Sequence, residues 1–228
     1  MKKNDFNKSI KNVVQLLIEN DYIFHIGSIE SLNASDEFKK ESREGSSYKK
    51  LYDLGASKQD FNIMLKDKSY FQFSINSSND IRLAFYPNPY ISLEYQELNL
   101  EYKKLLEEGQ LSNEDYEQFL SEEKFTNDIP LIRFDFSEKQ YCEKYHPTAH
   151  FHIGFDRENR WPVRRILSPY AFFLKILMIY YINLWKEWGE KSSELNILDA
   201  KYRKELSNCE LIKNEYFSKL EEGRLHFR

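Results

Sequence analysis

Four segments of this chain alternate apolar and polar residues with a period of two, and that pattern limits the fold more than any other feature. In Tyr70 to Asn76, Phe71, Phe73 and Ile75 oppose Gln72 and Ser74. In Asp80 to Tyr86, Ile81, Leu83 and Phe85 oppose Arg82 and Ala84. Leu131 to Phe136 sets Ile132, Phe134 and Phe136 against Arg133 and Asp135, and Thr148 to Phe155 sets Ala149, Phe151, Ile153 and Phe155 against Thr148, His150 and His152. Successive side chains on a strand point to opposite faces, so these segments predict strands with one greasy side and one polar side. Asn76 to Asn79 reads as a hairpin turn between the first two. Pro87-Asn88-Pro89 ends the second, because proline has no N–H to give a ladder. Tyr22 to Ile29 adds a short β-rich stretch.

A sheet with one apolar face needs a cover. Residues 6–19 offer one, with Ile10, Val13, Val14, Leu17 and Ile18 on a helical stripe. Residues 169–188 offer another: the run is apolar nearly all round, and Ser168-Pro169 is a good helix start. Residues 194–221 carry Leu195, Leu198, Tyr202, Leu206, Cys209, Ile212, Tyr216 and Leu220 at three-four spacing, which predicts a long last helix. Between the second and third strands, residues 93–122 read as a helical insertion, stopped at Gly109 and restarted by a capping pattern at Ser112 and Asp115. Residues 33–50 are polar and read as a loop. The expected architecture is a single α+β domain over 1–228. Its core over about 60–165 is an antiparallel sheet of about four to six strands, with helices packed on one face and a long C-terminal helix. At 41% hydrophobic and 16% aromatic, the chain has the material for that core.

Composition narrows the function classes. Lys and Arg number 33 against 37 Asp and Glu, a net charge of −4, so any attraction to nucleic acid must come from a local basic patch. Cys142 and Cys209 are far apart, which excludes a CxxC zinc motif and a disulfide framework. The longest apolar run, Tyr170 to Trp185, is broken by Lys175 and Asn183 and falls short of the roughly 20 residues that cross a bilayer. A cytoplasmic protein with no membrane partner is expected. No Walker loop, dinucleotide glycine pattern, nucleophile elbow or HExxH helix is present in the sequence.

If the third and fourth alternating strands share a sheet, Arg133, Asp135, His150 and His152 lie on one polar face, joined by Arg82 and Gln72. Three chemistries fit. His150 and His152 could act as general acid and base with Asp135 orienting one of them. They could ligate a metal with His146 or Asp135 completing the shell. Arg133 could hold an anion such as phosphate. An ordinary polar face with two half-exposed histidines accounts for the same residues. His146 precedes Pro147, which biases it toward an extended conformation at the strand entry. The connection that follows holds Arg157, Arg160, Arg164 and Arg165 around Trp161, a mixture that can grip phosphates and stack on bases, or simply be a solvated loop.

Tyr145-His146-Pro147-Thr148-Ala149-His150-Phe151-His152-Ile153-Gly154, followed by Arg160-Trp161-Pro162-Val163 and Ser168-Pro169-Tyr170-Ala171-Phe172-Phe173, resembles the bacterial family known as domain of unknown function 2290. Pro87-Asn88-Pro89-Tyr90 and Arg133-Phe134-Asp135 match its pattern too. An Arg-x-Asp strand followed by a His-x-His strand and a helix is also similar to the much shorter TumE-type toxins of bacterial toxin–antitoxin pairs. That second resemblance implies a defence or toxin setting with RNA as target, and Arg133, Asp135, His150 and His152 are the matching positions.

The expectation is therefore an RNA-cleaving or RNA-binding effector. His150, His152 and Asp135 would be catalytic, and Arg82, Arg133, Arg160, Arg164, Arg165 and His146 would hold a phosphate-bearing substrate. No metal or cofactor is assigned, a divalent ion being the alternative for the same residues. The competing expectation is a non-catalytic subunit of a multi-protein anti-phage defence complex, docking on a protein partner through 194–221.

Overall fold

The computed structural model describes the chain apart from residues 46, 78, 91–92, 123–128, 156–157, 191–195 and 226–228. Its elements run α1 (Lys3–Glu19), β1 (Ile23–Ile26), α2 (Asp36–Glu44), α3 (Tyr48–Ser57), β2 (Ile63–Leu65), β3 (Tyr70–Ser77), β4 (Asp80–Tyr86), α4 (Leu93–Glu107), α5 (Asn113–Glu122), β5 (Ile132–Ser137), β6 (Ala149–Ile153), β7 (Trp161–Pro162), α6 (Pro169–Tyr180), α7 (Ile182–Gly189), α8 (Ile197–Asn208) and α9 (Lys219–Leu225). All seven strands form one antiparallel meander in the order β1-β2-β3-β4-β5-β6-β7, each bonded to its neighbour in sequence. The fold is α+β as expected, but the sheet is wider than four to six strands. The additions are β2 and β7, which are too short to display an alternation of their own.

The alternation sorts the side chains as read. Phe71, Phe73, Ile81, Leu83, Phe85, Ile132, Phe134, Phe136 and Ala149 join the main core with residues of α1 and α6. Within it Phe172 and Phe173 of α6 meet the Phe71 ring edge-on, at 6.3 and 5.3 Å between centroids. Ser168 Oγ caps α6 by accepting from Ala171 N at 3.1 Å, and Pro169 occupies the first turn, where its missing N–H costs nothing. The helices α1 and α6 are clasped together over the sheet: Tyr170 N donates to Ser9 Oγ at 2.9 Å.

The polar side of the sheet is not open, which corrects the expectation of helices on one face. Residues 33–50 are not a loop. They supply α2 and the start of α3, each capped by a serine, Ser35 Oγ accepting from Phe38 N and Ser47 Oγ from Lys50 N. Phe38, Leu51 and Tyr52 from these helices form a second buried cluster with Met64, Tyr70, Ala84 and Tyr86. The sheet thus carries helices on both faces.

The expected helix over 194–221 is broken. α8 ends at Asn208, and the backbone beyond it pairs with the segment after β7: Ile166 N donates to Glu210 O and Ile212 N to Arg164 O, both at 2.9 Å. A strand-like pairing partner pulls these residues out of the helix, and Cys209 and Ile212 are buried in the main core. Residues 194 and 195 lie outside those described. The run over 169–188 likewise divides at Tyr181, whose hydroxyl donates to Asp67 Oδ2 at 2.7 Å across the sheet edge. No helix among the described residues is long and apolar enough to cross a membrane.

Candidate functional site

The registers of β4, β5 and β6 place the predicted residues in two adjacent rows. Arg82 faces Asp135 and Asp135 faces His150; one row over, Ala84 faces Arg133 and Arg133 faces His152. Directly opposed residues on antiparallel strands hold their side chains within reach of one another. Asp135 is the hub. Its Oδ1 accepts from Arg82 Nε at 3.0 Å, its Oδ2 from Arg133 Nε at 2.9 Å, and His152 Nε2 lies 3.5 Å from Oδ2. His150 Nε2 is 3.0 Å from His152 Nε2, and His150 Nδ1 is 2.8 Å from the carbonyl oxygen of Pro147. A carbonyl only accepts, so Nδ1 carries the proton in this contact and Nε2 of a neutral His150 turns its lone pair toward His152.

These groups differ in exposure. Arg82 is half exposed and Asp135 and Arg133 partly so, whereas His150 and His152 are only 1% and 4% exposed. The half-exposed histidines of the sequence reading are in fact covered. Burial pushes the His150 imidazole down to about 4, and the neighbouring His152 adds to the effect, so His150 is neutral near pH 7. Burial and the charge of Arg160 also lower His146. Burial alone would raise Asp135, but the His152 hydrogen bond and the Arg82 and Arg133 guanidiniums outweigh it and hold the carboxyl well below the usual carboxylate range.

Arg82 and Asp135 open onto a cleft of about 550 Å³ between α2 and the polar face of the sheet. Gln72, Ser74 and Asn76 of β3 line its floor, and Lys39, Ser42 and Arg43 of α2 line its wall. Gln72 is fixed by donating to Asp60 O at 2.7 Å. The α2 residues escaped the sequence reading because their segment looked like a loop; the signal that could have found them is the cap Ser35, one residue ahead of Asp36-Glu37. Tyr86 closes β4. It is 3% exposed, lines the cleft, and burial raises its hydroxyl to about 12.

The remaining predicted residues divide. His146 comes near the cluster, its ring 4.9 Å edge-on from that of His150, while its Nδ1 is buried without a hydrogen-bond partner. Arg160 pairs with Glu158 at 2.9 Å. Arg164 and Arg165 are not brought to the cluster: Arg164 Nη2 donates to Asn214 Oδ1 at 2.6 Å above the Phe217 ring, and Arg165 Nη1 donates to Cys209 O at 2.8 Å. Those two arginines tie down the C-terminal segment and do not line the cleft. Arg157 lies outside the described residues. Phe155 departs from the alternation as well. Gly154, at φ +85, turns the chain after β6 and sends Phe155 to the second cluster, 6.2 Å from the Tyr48 ring.

Chemically, the arrangement offers two guanidiniums flanking one carboxylate, backed by two imidazoles. Such a centre can bind an oxyanion, relay a proton or hold an ion, since the nearest ligand atoms of Asp135, His150 and His152 all lie within 4.8 Å of one another.

A seven-stranded antiparallel meander with helices on both faces and an Arg–Asp–His cluster on its polar side defines an α+β protein with its site on a sheet face. The chain belongs to the family described as uncharacterized conserved protein (DUF2290), which matches residues 20–228 and therefore takes in the whole cluster. No curated protein and no solved structure matches it.

Proposed function

We propose that this chain is an effector of a bacterial defence or toxin–antitoxin system that binds RNA and cleaves it, with Arg82 and Arg133 gripping a phosphate and Asp135, His150 and His152 forming the reactive centre. The observation that carries this reading is the pair Arg82 and Asp135 on the wall of a polar cleft, with Arg133 and the two imidazoles packed behind Asp135. Guanidiniums present a planar fork that suits phosphate oxygens. Lys39 and Arg43 on the α2 wall bring two further cations to the cleft, Lys39 beside Asp36 at 3.4 Å and both across from a lining that includes Asp80. A cleft of about 550 Å³ suits one or two unpaired nucleotides rather than a duplex. The defence setting rests on the similarity of the Arg-x-Asp and His-x-His strands to TumE-type toxins.

The test is cleavage of single-stranded RNA by wild type and by Arg82→Ala, Asp135→Asn, His150→Ala and His152→Ala. Wild type is expected to cleave, and each change at the reactive centre to slow it by roughly 100-fold or more. No cleavage by wild type, or equal cleavage by all five proteins, removes the reading. The competing idea of a docking subunit has less behind it, because Leu198, Cys209 and Ile212 of the proposed seam are buried in the chain's own core.

A further inference from the structure

We infer that Asp135, His150 and His152 form a binding site for a divalent transition-metal ion of the zinc type. Three acceptor atoms, His150 Nε2, His152 Nε2 and Asp135 Oδ2, cluster together: the nitrogens are 3.0 Å apart, His152 Nε2 is 3.5 Å from the carboxylate oxygen, and the ligand atoms of the three residues lie within 4.8 Å of one another, so a small side-chain shift closes them on one ion. An ion placed roughly 2.1 Å from each nitrogen would see them at roughly 90°, a bite found in five- and six-coordinate sites with two imidazoles and one carboxylate on a face.

The proton accounting points the same way. Pro147 O fixes the tautomer of His150, leaving the Nε2 lone pair aimed at His152. A second-sphere carbonyl on the far nitrogen is the usual support of a metal-bound imidazole. Without an ion, the single proton on His152 Nε2 must serve both the His150 lone pair and the Asp135 carboxylate. A cation at the same point satisfies all three acceptors at once and moves the His152 proton to Nδ1, which is buried without a hydrogen-bond partner.

The donor set also selects the ion. Two imidazoles favour borderline metals, whereas magnesium and calcium want oxygen ligands and more of them. Arg82 and Arg133 already take one direction of each Asp135 oxygen, but a carboxylate has about four acceptor sites, so the oxygen facing His152 retains capacity. The guanidiniums oppose the ion's charge, which makes the site weaker than one built of histidines alone and leaves it hungry for an anion. Three protein donors are the number typical of a catalytic ion, which keeps one position for a ligand. Asp135 reaches the cleft wall, so that position would take an oxyanion held by Arg82. Only this last point, the identity of the outer ligand as a phosphate, rests on the function proposed above.

The experiment is a titration of chelator-treated full-length protein with zinc by calorimetry and with cobalt by visible absorption. One ion per chain is expected for zinc and cobalt, and none for magnesium. His150→Ala and His152→Ala should weaken zinc binding by more than the roughly 100-fold that loss of a supporting contact can cost, while the exposed His25→Ala should bind as wild type does. Because His150 is buried and its replacement could unfold the sheet, the wild type carries a second readout: zinc should move the imidazole nitrogen resonances of His150 and His152 and leave His25 in place. Absence of stoichiometric zinc binding, binding retained in both histidine variants, or a response at His25 instead overturns the site. RNA cleavage that depends on these residues without any metal binding would overturn the metal site and keep the function. Metal binding without RNA cleavage would do the reverse.

Discussion

Asp135 shows how much one residue can organise when its neighbours are fixed by strand register. Its carboxylate meets two guanidiniums and an imidazole only because Arg82, Arg133 and His152 occupy facing and flanking positions on three adjacent strands. A second aspartate shows the opposite electrostatics. Asp67 is half-buried, and desolvation raises its carboxyl above the ordinary value although Tyr181 and Ser69 hydrogen-bond it and pull the other way. The folded chain therefore binds that proton more tightly than the unfolded chain does. The stability this contributes is complete below the unfolded value and is lost as pH rises through the folded one. Asp67→Asn should gain on wild type as pH climbs from about 3 to about 7, read from urea midpoints of the two proteins at each pH. A difference that stays constant across pH would show that Asp67 carries no such cost. At this scale the sequence was legible where side chains alternate: Arg133, Asp135, His150 and His152 share a face as the period of two requires. The burial of the two histidines was not legible, since it depends on segments distant in sequence.

Among the elements, α2 decides whether the polar face of the sheet is a surface or a cleft. It buries a single large apolar residue, Phe38, so a hydrophobic stripe gives no warning of it. Its anchor is Ser35, whose Oγ accepts from Phe38 N and donates to Asp60 Oδ2 at 2.6 Å, and Asp60 O in turn accepts from Gln72 on the cleft floor. Ser35→Ala should cost about 1 kcal/mol. It should speed amide hydrogen exchange in α2 while leaving β3, β4 and β5 unchanged. Unaltered exchange in α2 would mean that the cap does not hold the cleft wall. The same scale explains the misread last helix: 194–221 has helical spacing, but 210–212 find backbone partners in the segment after β7, and pairing across the chain outweighs a local preference. The start of the run over 169–188 was readable because its cap, proline and apolar girth are all local signals, whereas its break at Tyr181 was not.

For the molecule as a whole, the sheet order follows the chain order without a crossover, and every strand precedes the helices that cover its main core face from the C-terminal side. The β2–β3, β3–β4, β5–β6 and β6–β7 pairings are close in sequence and close quickly, whereas β1–β2 and β4–β5 span inserted helices and the cover comes from far away. A chain ending at residue 165 would retain all seven strands and α1 but lack α6 to α9, leaving Phe73, Phe134 and Phe151 without Phe172 and its neighbours. Such a fragment should bind a hydrophobic dye and scatter light at micromolar concentration. A monodisperse fragment that ignores the dye would show that α1 alone closes the core. On the ribosome this order has a cost in time. At roughly 5–20 residues per second, the greasy side of a complete meander waits several seconds for its lid to be translated. A newborn chain of this design would lean on a holding chaperone, and slower translation after β7 would lengthen its exposure to aggregation.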